Sequence, residues 1–149
     1  MRKALVILVS TVAASIVLPA ATAQAQPACG TTPEQWVGYF PGAEHHSYGD
    51  TPLDHTITLT DGTLAVDTLI NDWKRMPPYG DPTLVGDSLS WTTIESGVPG
   101  GAGETNIYKT DGVTCANGVV QAFTGVDKWI YIIPAGPVQV AESPFSASR

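Results

Sequence analysis

The chain has 149 residues and a formal net charge of −7 at pH 7, from 14 acidic and seven basic side chains. Two of the basic residues, Arg2 and Lys3, lie in a segment that we expect to be removed, which leaves five basic side chains and a net charge near −9. Because such a surface repels nucleic acid and anionic membranes, the composition argues against partners of both classes. The expected remainder, 26–149, has the usual size of one domain with one core.

Residues 1–25 have the features of a secretory signal peptide. Arg2 and Lys3 precede an apolar run over 4–18, and alanines at 23 and 25 in a small-residue stretch suit the signal peptidase pattern. The apolar run is shorter than the roughly 20 residues that a membrane-spanning helix needs. The sequence therefore predicts a secreted protein with no stable membrane association after cleavage.

The chain has two cysteines, Cys29 and Cys115, and both remain after cleavage at this site. In an oxidising compartment they have only each other as intramolecular partners. We therefore expect one structural disulfide between them. A catalytic or redox cysteine is disfavoured, because redox motifs place their cysteines close together in the sequence.

The first predicted elements are short. Thr32 offers a helix cap, with proline at the first helical position and Gln35 three residues after the cap, so a single helical turn is expected. Residues 36–40 then predict a short strand that ends at the turn-forming pair Pro41-Gly42.

The clearest pattern is a hairpin. His55, Ile57 and Leu59 alternate with threonines, which is typical of a strand with one buried face. Asp61-Gly62 suits a type I′ turn, in which both central residues adopt positive φ, and alternation resumes over 63–70.

Later strands are predicted between turn-forming residues such as Asp111-Gly112, Asn117-Gly118 and 125–127. The predicted strands cover 88–94, 105–110, 113–115, 119–124, 128–133 and 138–141. The polar residues 143–149 are expected to fray. Many short strands with glycine-rich turns predict a small all-β domain, either an antiparallel β-barrel or a β-sandwich.

The three histidines of the chain fall within eleven positions. His45, His46 and His55, with the carboxylate of Asp50, are side chains of the kind that bind zinc or copper. Neighbouring residues of a strand point to opposite faces, so His45 and His46 would need a bent loop to bind one ion. The alternative is a polar loop, with His55 at the solvent-exposed end of an apolar strand face. No cofactor is predicted.

The segment 73–79 concentrates basic and aromatic side chains in an acidic protein. Its prolines favour an extended, stiff loop, and arginine and aromatic side chains are common at the centres of protein interfaces. It could therefore bind an extracellular protein, including a protease that recognises a basic residue. The alternative is a simple connection between strands. The candidate contact residues are Trp73, Lys74, Arg75, Met76 and Tyr79.

Three aromatic residues, Trp91, Trp129 and Tyr131, alternate with smaller residues on predicted strands. In a barrel they could line a pocket for a small apolar ligand or a sugar, whereas in a sandwich they would fill the core. Filling of the core is the more common role of inward aromatic residues.

No catalytic motif is recognisable in the sequence. The chain contains neither a nucleophile elbow nor a zinc-protease helix motif. Paired carboxylates such as Glu95 and Glu104 could support glycoside cleavage, although 14 acidic residues make chance pairs common. The leading hypothesis is a secreted, non-catalytic binding protein. The alternatives are a protease inhibitor acting through 74–79 and a small metal-dependent or carboxylate-based hydrolase.

Overall fold

A computed structural model describes residues 27–72, 74–98, 102–133 and 135–149, which form one short helix and ten antiparallel strands. The helix is α1 (Pro33–Trp36), and the strands are β1 (Gly38–Phe40), β2 (Gly42–His46), β3 (Gly49–Thr60), β4 (Thr63–Ile70), β5 (Lys74–Met76), β6 (Thr83–Val85), β7 (Ser88–Val98), β8 (Ala102–Ala116), β9 (Val119–Ile133) and β10 (Gly136–Ser148).

The strands form one sheet in the order β5-β4-β3-β2-β10-β9-β8-β7-β6, and β1 pairs with β3. The sheet is not closed by a continuous ladder. However, the segment after β5 touches β7 through an isolated bridge between Pro78 and Thr93. Two backbone hydrogen bonds flank this bridge, from Tyr79 N to Thr92 O at 2.8 Å and from Ile94 N to Pro77 O at 3.0 Å.

The predicted hairpin and helical turn are confirmed. β3 ends at Thr60, β4 begins at Thr63, and the two turn residues Asp61 and Gly62 have φ values of 50° and 80°. In α1 the side chain of Gln35 accepts a hydrogen bond from Thr32 N at 3.1 Å, as the capping pattern predicts.

Two predicted turns are wrong, because the chain passes through them in strand conformation. Asp111-Gly112 lies within β8, and the register of the pairing with β9 shifts at a bulge between Thr110 and Gly112. Residues 125–127 lie within β9. Gly125 is needed there for close packing, since a Cβ would stand 2.4 Å from Lys109 O and 2.6 Å from the Phe145 ring.

The expectation that residues 143–149 fray is also wrong. Residues 143–148 belong to β10, which pairs with β9 through Ser148 and with β2 through Ala147. Arg149 secures the end, since its Nε and Nη2 atoms donate to Val120 O and Val37 O, each at 2.6 Å. Local polarity could not reveal this pairing, because both partner strands are remote in the sequence.

The disulfide between Cys29 and Cys115 is present, with a Cα to Cα distance of 5.7 Å. It fixes the segment before α1 to β8, and nearby the indole of Trp36 donates to Gly30 O at 2.7 Å. The core lies on one face of the sheet, here called the inner face, and includes Trp36 and Phe123. An all-β antiparallel fold with one disulfide is thus confirmed.

Candidate functional site

Several polar side chains on the inner face are almost completely buried, and five of them form one group. Thr93 lies opposite Asn106 and Tyr108 lies opposite Asp127 in the strand register, so these four share one face of β7, β8 and β9. Glu44 of β2 approaches from across β10 and is only 1% exposed. We call Glu44, Thr93, Asn106, Tyr108 and Asp127 the interior polar cluster.

The interior polar cluster is only partly hydrogen-bonded. Asp127 Oδ2 accepts from Asn106 Nδ2 at 2.9 Å and from the indole of Trp129 at 2.6 Å. Among the described residues, the buried side-chain atoms without a hydrogen-bond partner include atoms of all five members: both carboxylate oxygens of Glu44, Oδ1 of Asp127, Oδ1 of Asn106 and the hydroxyls of Thr93 and Tyr108. Most buried polar groups in proteins are paired, so this concentration is unusual.

The two carboxyl groups of the cluster are much weaker acids than usual. Loss of hydration raises the pKa of Glu44 to about 7, and repulsion by Asp127 adds to this, although Ser143 and Trp129 oppose it. Loss of hydration also raises the pKa of Asp127 to about 7, against the hydrogen bond from Asn106. Near neutral pH, both groups therefore exchange readily between charged and neutral forms.

A pocket of about 490 Å³ adjoins the cluster. It lies where β2, the β2–β3 turn, β9 and β10 meet, and it is lined by His45, His46, Ser47, Tyr48, Trp129, Tyr131, Ala141, Glu142, Ser143 and Pro144. This volume falls within the range of pockets that hold small molecules. Two of the lining side chains, Trp129 and His46, approach the buried carboxyl groups directly, so the pocket and the cluster form one candidate site.

His46 stands between the pocket and Glu44. Its ring stacks on Tyr48 with 4.7 Å between centroids and meets Trp129 edge-on at 5.5 Å. Its Nδ1 atom is 3.1 Å from the Ser143 hydroxyl, and its Nε2 atom is 3.6 Å from Glu44 Oε2. A shift of this one ring would open Glu44 to the pocket.

The three aromatic residues singled out in the sequence have different roles. Trp129 and Tyr131 line the pocket. Trp91 belongs to the core, where it is 3% exposed and stacks on Tyr108 with 5.1 Å between ring centroids. The alternation in the sequence indicates that these residues face inward. It does not indicate which of them pack in the core and which line the pocket.

The histidines do not gather around one point. His45 bonds to Asp50 at 3.0 Å on the exposed side, His46 faces Glu44, and His55 is fully buried. Among the residues that the structure describes, no group of three or more His, Cys, Asp or Glu side chains is arranged to hold a metal ion. The predicted set of His45, His46, His55 and Asp50 therefore does not converge. Strand alternation places His45 and His46 on opposite faces of β2, and His55 lies in the core.

His55 lies in an aromatic part of the core and provides a prediction about acid stability. Its ring contacts Trp91, Tyr108, Phe123 and Phe145, and burial lowers its pKa to about 3. The unfolded chain therefore binds a proton between about pH 6.5 and pH 3 that the folded chain excludes, so this residue makes stability fall as the pH falls.

We expect His55→Phe to remove about 2 kcal/mol of the stability loss between pH 7 and pH 5, as measured by urea unfolding at both pH values. Phenylalanine preserves the ring but loses the contact from Nδ1 to the Thr68 hydroxyl at 3.2 Å, so some destabilisation at pH 7 is expected. His45→Phe, at an exposed position, is the control. An unchanged difference between pH 7 and pH 5 in His55→Phe would contradict this role.

The basic and aromatic segment is mainly part of the sheet. Lys74, Arg75 and Met76 form β5, the Met76 side chain is fully buried, and Arg75 pairs with Asp67 at 2.7 Å. Tyr79 is exposed, whereas Trp73 lies outside the described residues. Because its side chain is fully buried, Met76 cannot contact a binding partner at the surface.

Sequence reasoning missed the members of the interior polar cluster. The sequence predicts a turn at Asp127, and its patterns do not single out Glu44. Glu104, one of the predicted carboxylate pair, raises the pKa values of both buried carboxyl groups by repulsion. The side chain of Glu95 lies outside those described. The sequence offered one signal for this cluster. Thr93 lies two residues after Trp91 and Asn106 lies two residues before Tyr108, so each polar residue shares a strand face with an aromatic residue.

A second groove, of about 560 Å³, crosses β2, β8, β9 and β10. Its lining is Pro41, Gly42, Ala43, Gly112, Val113, Thr114, Ala122, Phe123, Thr124, Ser146, Ala147 and Ser148, with no ionisable side chain. Specific small-molecule sites normally include a few converging polar groups, so the pocket beside the cluster is the stronger candidate.

Within the described ranges, no helix has the length and apolar character required to cross a membrane. No protein-family model, no curated protein and no solved structure matches this chain.

Proposed function

We propose that this chain is a secreted, non-catalytic binding protein that holds a small ligand in the pocket between β2, β9 and β10. The signal-peptide features of residues 1–25 support export, and the disulfide between Cys29 and Cys115 suits an oxidising compartment. The partner class is then a small extracellular molecule rather than nucleic acid or a membrane.

The observation that carries this proposal is the position of the pocket directly against unpartnered buried polar atoms. Tyr48, Trp129 and Tyr131 give it aromatic walls, and behind them lie Glu44 and Asp127. An apolar wall with a few polar groups at one end is the common composition of a ligand site. Aromatic walls also suit the apolar or sugar ligands considered from the sequence.

The test is a titration of the isotopically labelled protein, followed by NMR at the tryptophan indole resonances. We use decanol, methyl glucoside and phenethylamine as apolar, sugar and amine probes. At least one should shift the Trp129 resonance, and Tyr131→Ala should weaken its binding about tenfold by removing a wall of the pocket. Tyr79→Ala, which removes an exposed tyrosine outside the pocket, is the control. Binding that depends on Tyr79 but not on Tyr131 would reject this site.

One observation favours a second candidate, a carboxylate-based hydrolase. Two carboxyl groups with pKa values of about 7 are suited to general acid and base catalysis near neutral pH. This function requires turnover of a glycoside or ester that disappears in Glu44→Gln. Ligand binding without turnover favours the binding protein instead.

A further inference from the structure

We propose that the ligand of this pocket is a small organic cation, a primary ammonium or guanidinium compound, whose N–H groups bind the carboxylates of Glu44 and Asp127. This inference rests on the proposed function and adds the chemical class of the ligand.

The unpartnered atoms of the interior polar cluster are mainly hydrogen-bond acceptors. Of the unpartnered atoms in the cluster, three are carboxylate oxygens and one is the amide oxygen of Asn106. An ionised carboxylate and an amide oxygen can only accept hydrogen bonds, while the hydroxyls of Thr93 and Tyr108 can accept or donate. Ser143 and Trp129 lie close enough to Glu44, and Tyr108 to Asp127, to oppose the rise in the carboxyl pKa values, yet both pKa values stay raised, so acceptor capacity remains in excess. A group that satisfies this set must be rich in donors. An ammonium group has three donors and a guanidinium group has five.

The acidic side chains around the pocket favour a positively charged ligand. Glu44 and Asp127 repel each other, and Glu104 adds to the negative potential. Among the described residues, the ion-pair contact to these buried carboxylates is that of His46 Nε2 with Glu44 Oε2 at 3.6 Å, and Arg75 and Lys128 pair instead with Asp67 and Glu142. A buried charge is normally paired, and a bound cation would pair these two.

Other ionisable side chains also face this interior and must be considered. His46 of β2 lies beside Glu44, His55 of β3 lies deeper among aromatic rings, and Tyr108 of β8 belongs to the cluster. Lys74 of β5 shares the face of Met76 by strand alternation, and the segment after β5 reaches Thr93 of the cluster through the Pro78 bridge. Of these groups, His46 is the one within ion-pair distance of a buried carboxylate, and it carries a positive charge only when protonated.

The walls of the pocket suit an organic cation. Tyr48, Trp129 and Tyr131 provide aromatic surface for the organic part of the ligand. Aromatic faces also attract ammonium and guanidinium groups. His46 covers Glu44, so we expect its ring to turn away from Glu44 when the cation binds. This movement would break its stacking on Tyr48 and its edge contact with Trp129.

Proton release is a consequence of this arrangement. Because burial raises the pKa values of Glu44 and Asp127 to about 7, part of each group is protonated in neutral solution. A bound cation favours the ionised form, so binding releases protons and becomes weaker as the pH falls below 7. Capture at neutral pH and release in acid would follow.

The experiment compares three probes of similar size by isothermal titration calorimetry on the purified, disulfide-bonded protein: phenethylamine, 2-phenylethanol and 3-phenylpropionate. The amine, like that of lysine, stays protonated from pH 5.5 to pH 8. At pH 8 we expect it to bind at least about tenfold more tightly than the alcohol, and the carboxylate to bind least. At pH 5.5 its affinity should fall about tenfold or more.

Glu44→Gln and Asp127→Asn should each remove most of the preference for the amine over the alcohol. Asp67→Asn makes the same change of charge at an exposed residue outside the pocket and should preserve that preference. Unfolding curves verify that each variant is folded.

The outcomes separate this inference from the proposed function. Equal binding of the amine and the alcohol, or tighter binding of the carboxylate, overturns the cation while preserving the pocket. The cation is also rejected alone if no phenethyl probe binds but decanol or methyl glucoside shifts the Trp129 resonance. If no probe of any class perturbs the pocket, both proposals fail.

Discussion

Replacing Cys29 and Cys115 with serine is expected to lower the free energy of unfolding by about 4.5 kcal/mol. The two cysteines are 86 residues apart in the sequence, and their bridge closes a loop of that length in the unfolded chain. In the chain-entropy description, a loop of this size restricts the unfolded state by about that much. The melting temperature should fall by roughly 10–20 °C.

The structure adds a local reason for a large effect. Cys29 is the connection between the N-terminal segment and β8, and Trp36 follows it closely, fully buried against Phe123 with 5.6 Å between ring centroids. Without the bridge, the hydrogen bond from Trp36 to Gly30 O and the packing of α1 must hold this segment unaided. We therefore expect the segment before β1 to exchange its amide hydrogens faster in the double variant.

The measurement is thermal and urea unfolding of the double variant beside the parent protein, each with and without dithiothreitol. The reductant should destabilise the parent protein to about the level of the variant and leave the variant unchanged, which controls for the serine side chains. A parent protein whose fully reduced form melts at the same temperature as its oxidised form would contradict the expectation.

The parts of the fold that could be predicted from the sequence are those set by local chemistry. The β3–β4 hairpin follows from alternation and from Asp61-Gly62, whose positive φ values the turn requires. Asn117-Gly118 has φ values of 52° and 77° and forms the β8–β9 turn in the same way. The disulfide followed from the presence of only two cysteines in a chain expected to be exported.

The parts that could not be predicted are set by contacts between remote strands. Gly125 indicates a turn by its identity, yet it allows Phe145 of β10 to pack closely. Asp127, two residues later, indicates a turn by its polarity, yet it is an interior residue with partners on β8 and β9. Polar residues at functional positions contradict local propensity, so sequence reasoning tends to fail where a site exists.

The candidate site shows the same division. Trp129 and Tyr131 could be selected because aromatic residues at alternate positions define an inner face. Glu44 could not, because its burial depends on β10 crossing between β2 and β9. Nothing in the residues around Glu44 distinguishes a buried acid from a surface acid.

Above pH 7, Glu44→Gln is expected to make the protein more stable by about 3 kcal/mol. The pKa of Glu44 is raised from 4.5 to about 7 on folding. Between these values the folded protein binds a proton that the unfolded chain releases, so the free energy of unfolding falls as the pH rises through this range. At pH 8 the folded protein contains a buried charge whose loss of hydration is not offset by the contacts from Ser143 and Trp129, and the amide of glutamine removes that charge while keeping the shape.

The difference between variant and parent isolates this effect from His55, whose lowered pKa gives the opposite slope between about pH 3 and pH 6.5. Urea unfolding at pH 5, 6, 7 and 8 should show a difference in free energy that is small at pH 5, grows up to pH 7 and levels off by pH 8. Asp127→Asn should follow the same trend but gain less, since Asp127 also accepts hydrogen bonds from Asn106 and Trp129.

Glu142→Gln supplies the matched control. Glu142 lines the same pocket, but its side chain is half exposed and pairs with Lys128 at 3.7 Å. Loss of an exposed pair should change stability by less than about 1 kcal/mol at every pH. Destabilisation of Glu44→Gln at pH 8, or a difference from the parent that does not vary with pH, would show that Glu44 is not held in the interior as an acid of raised pKa. The proton-linked binding of a cation would then lose its physical basis, because both depend on the same desolvated carboxyl group.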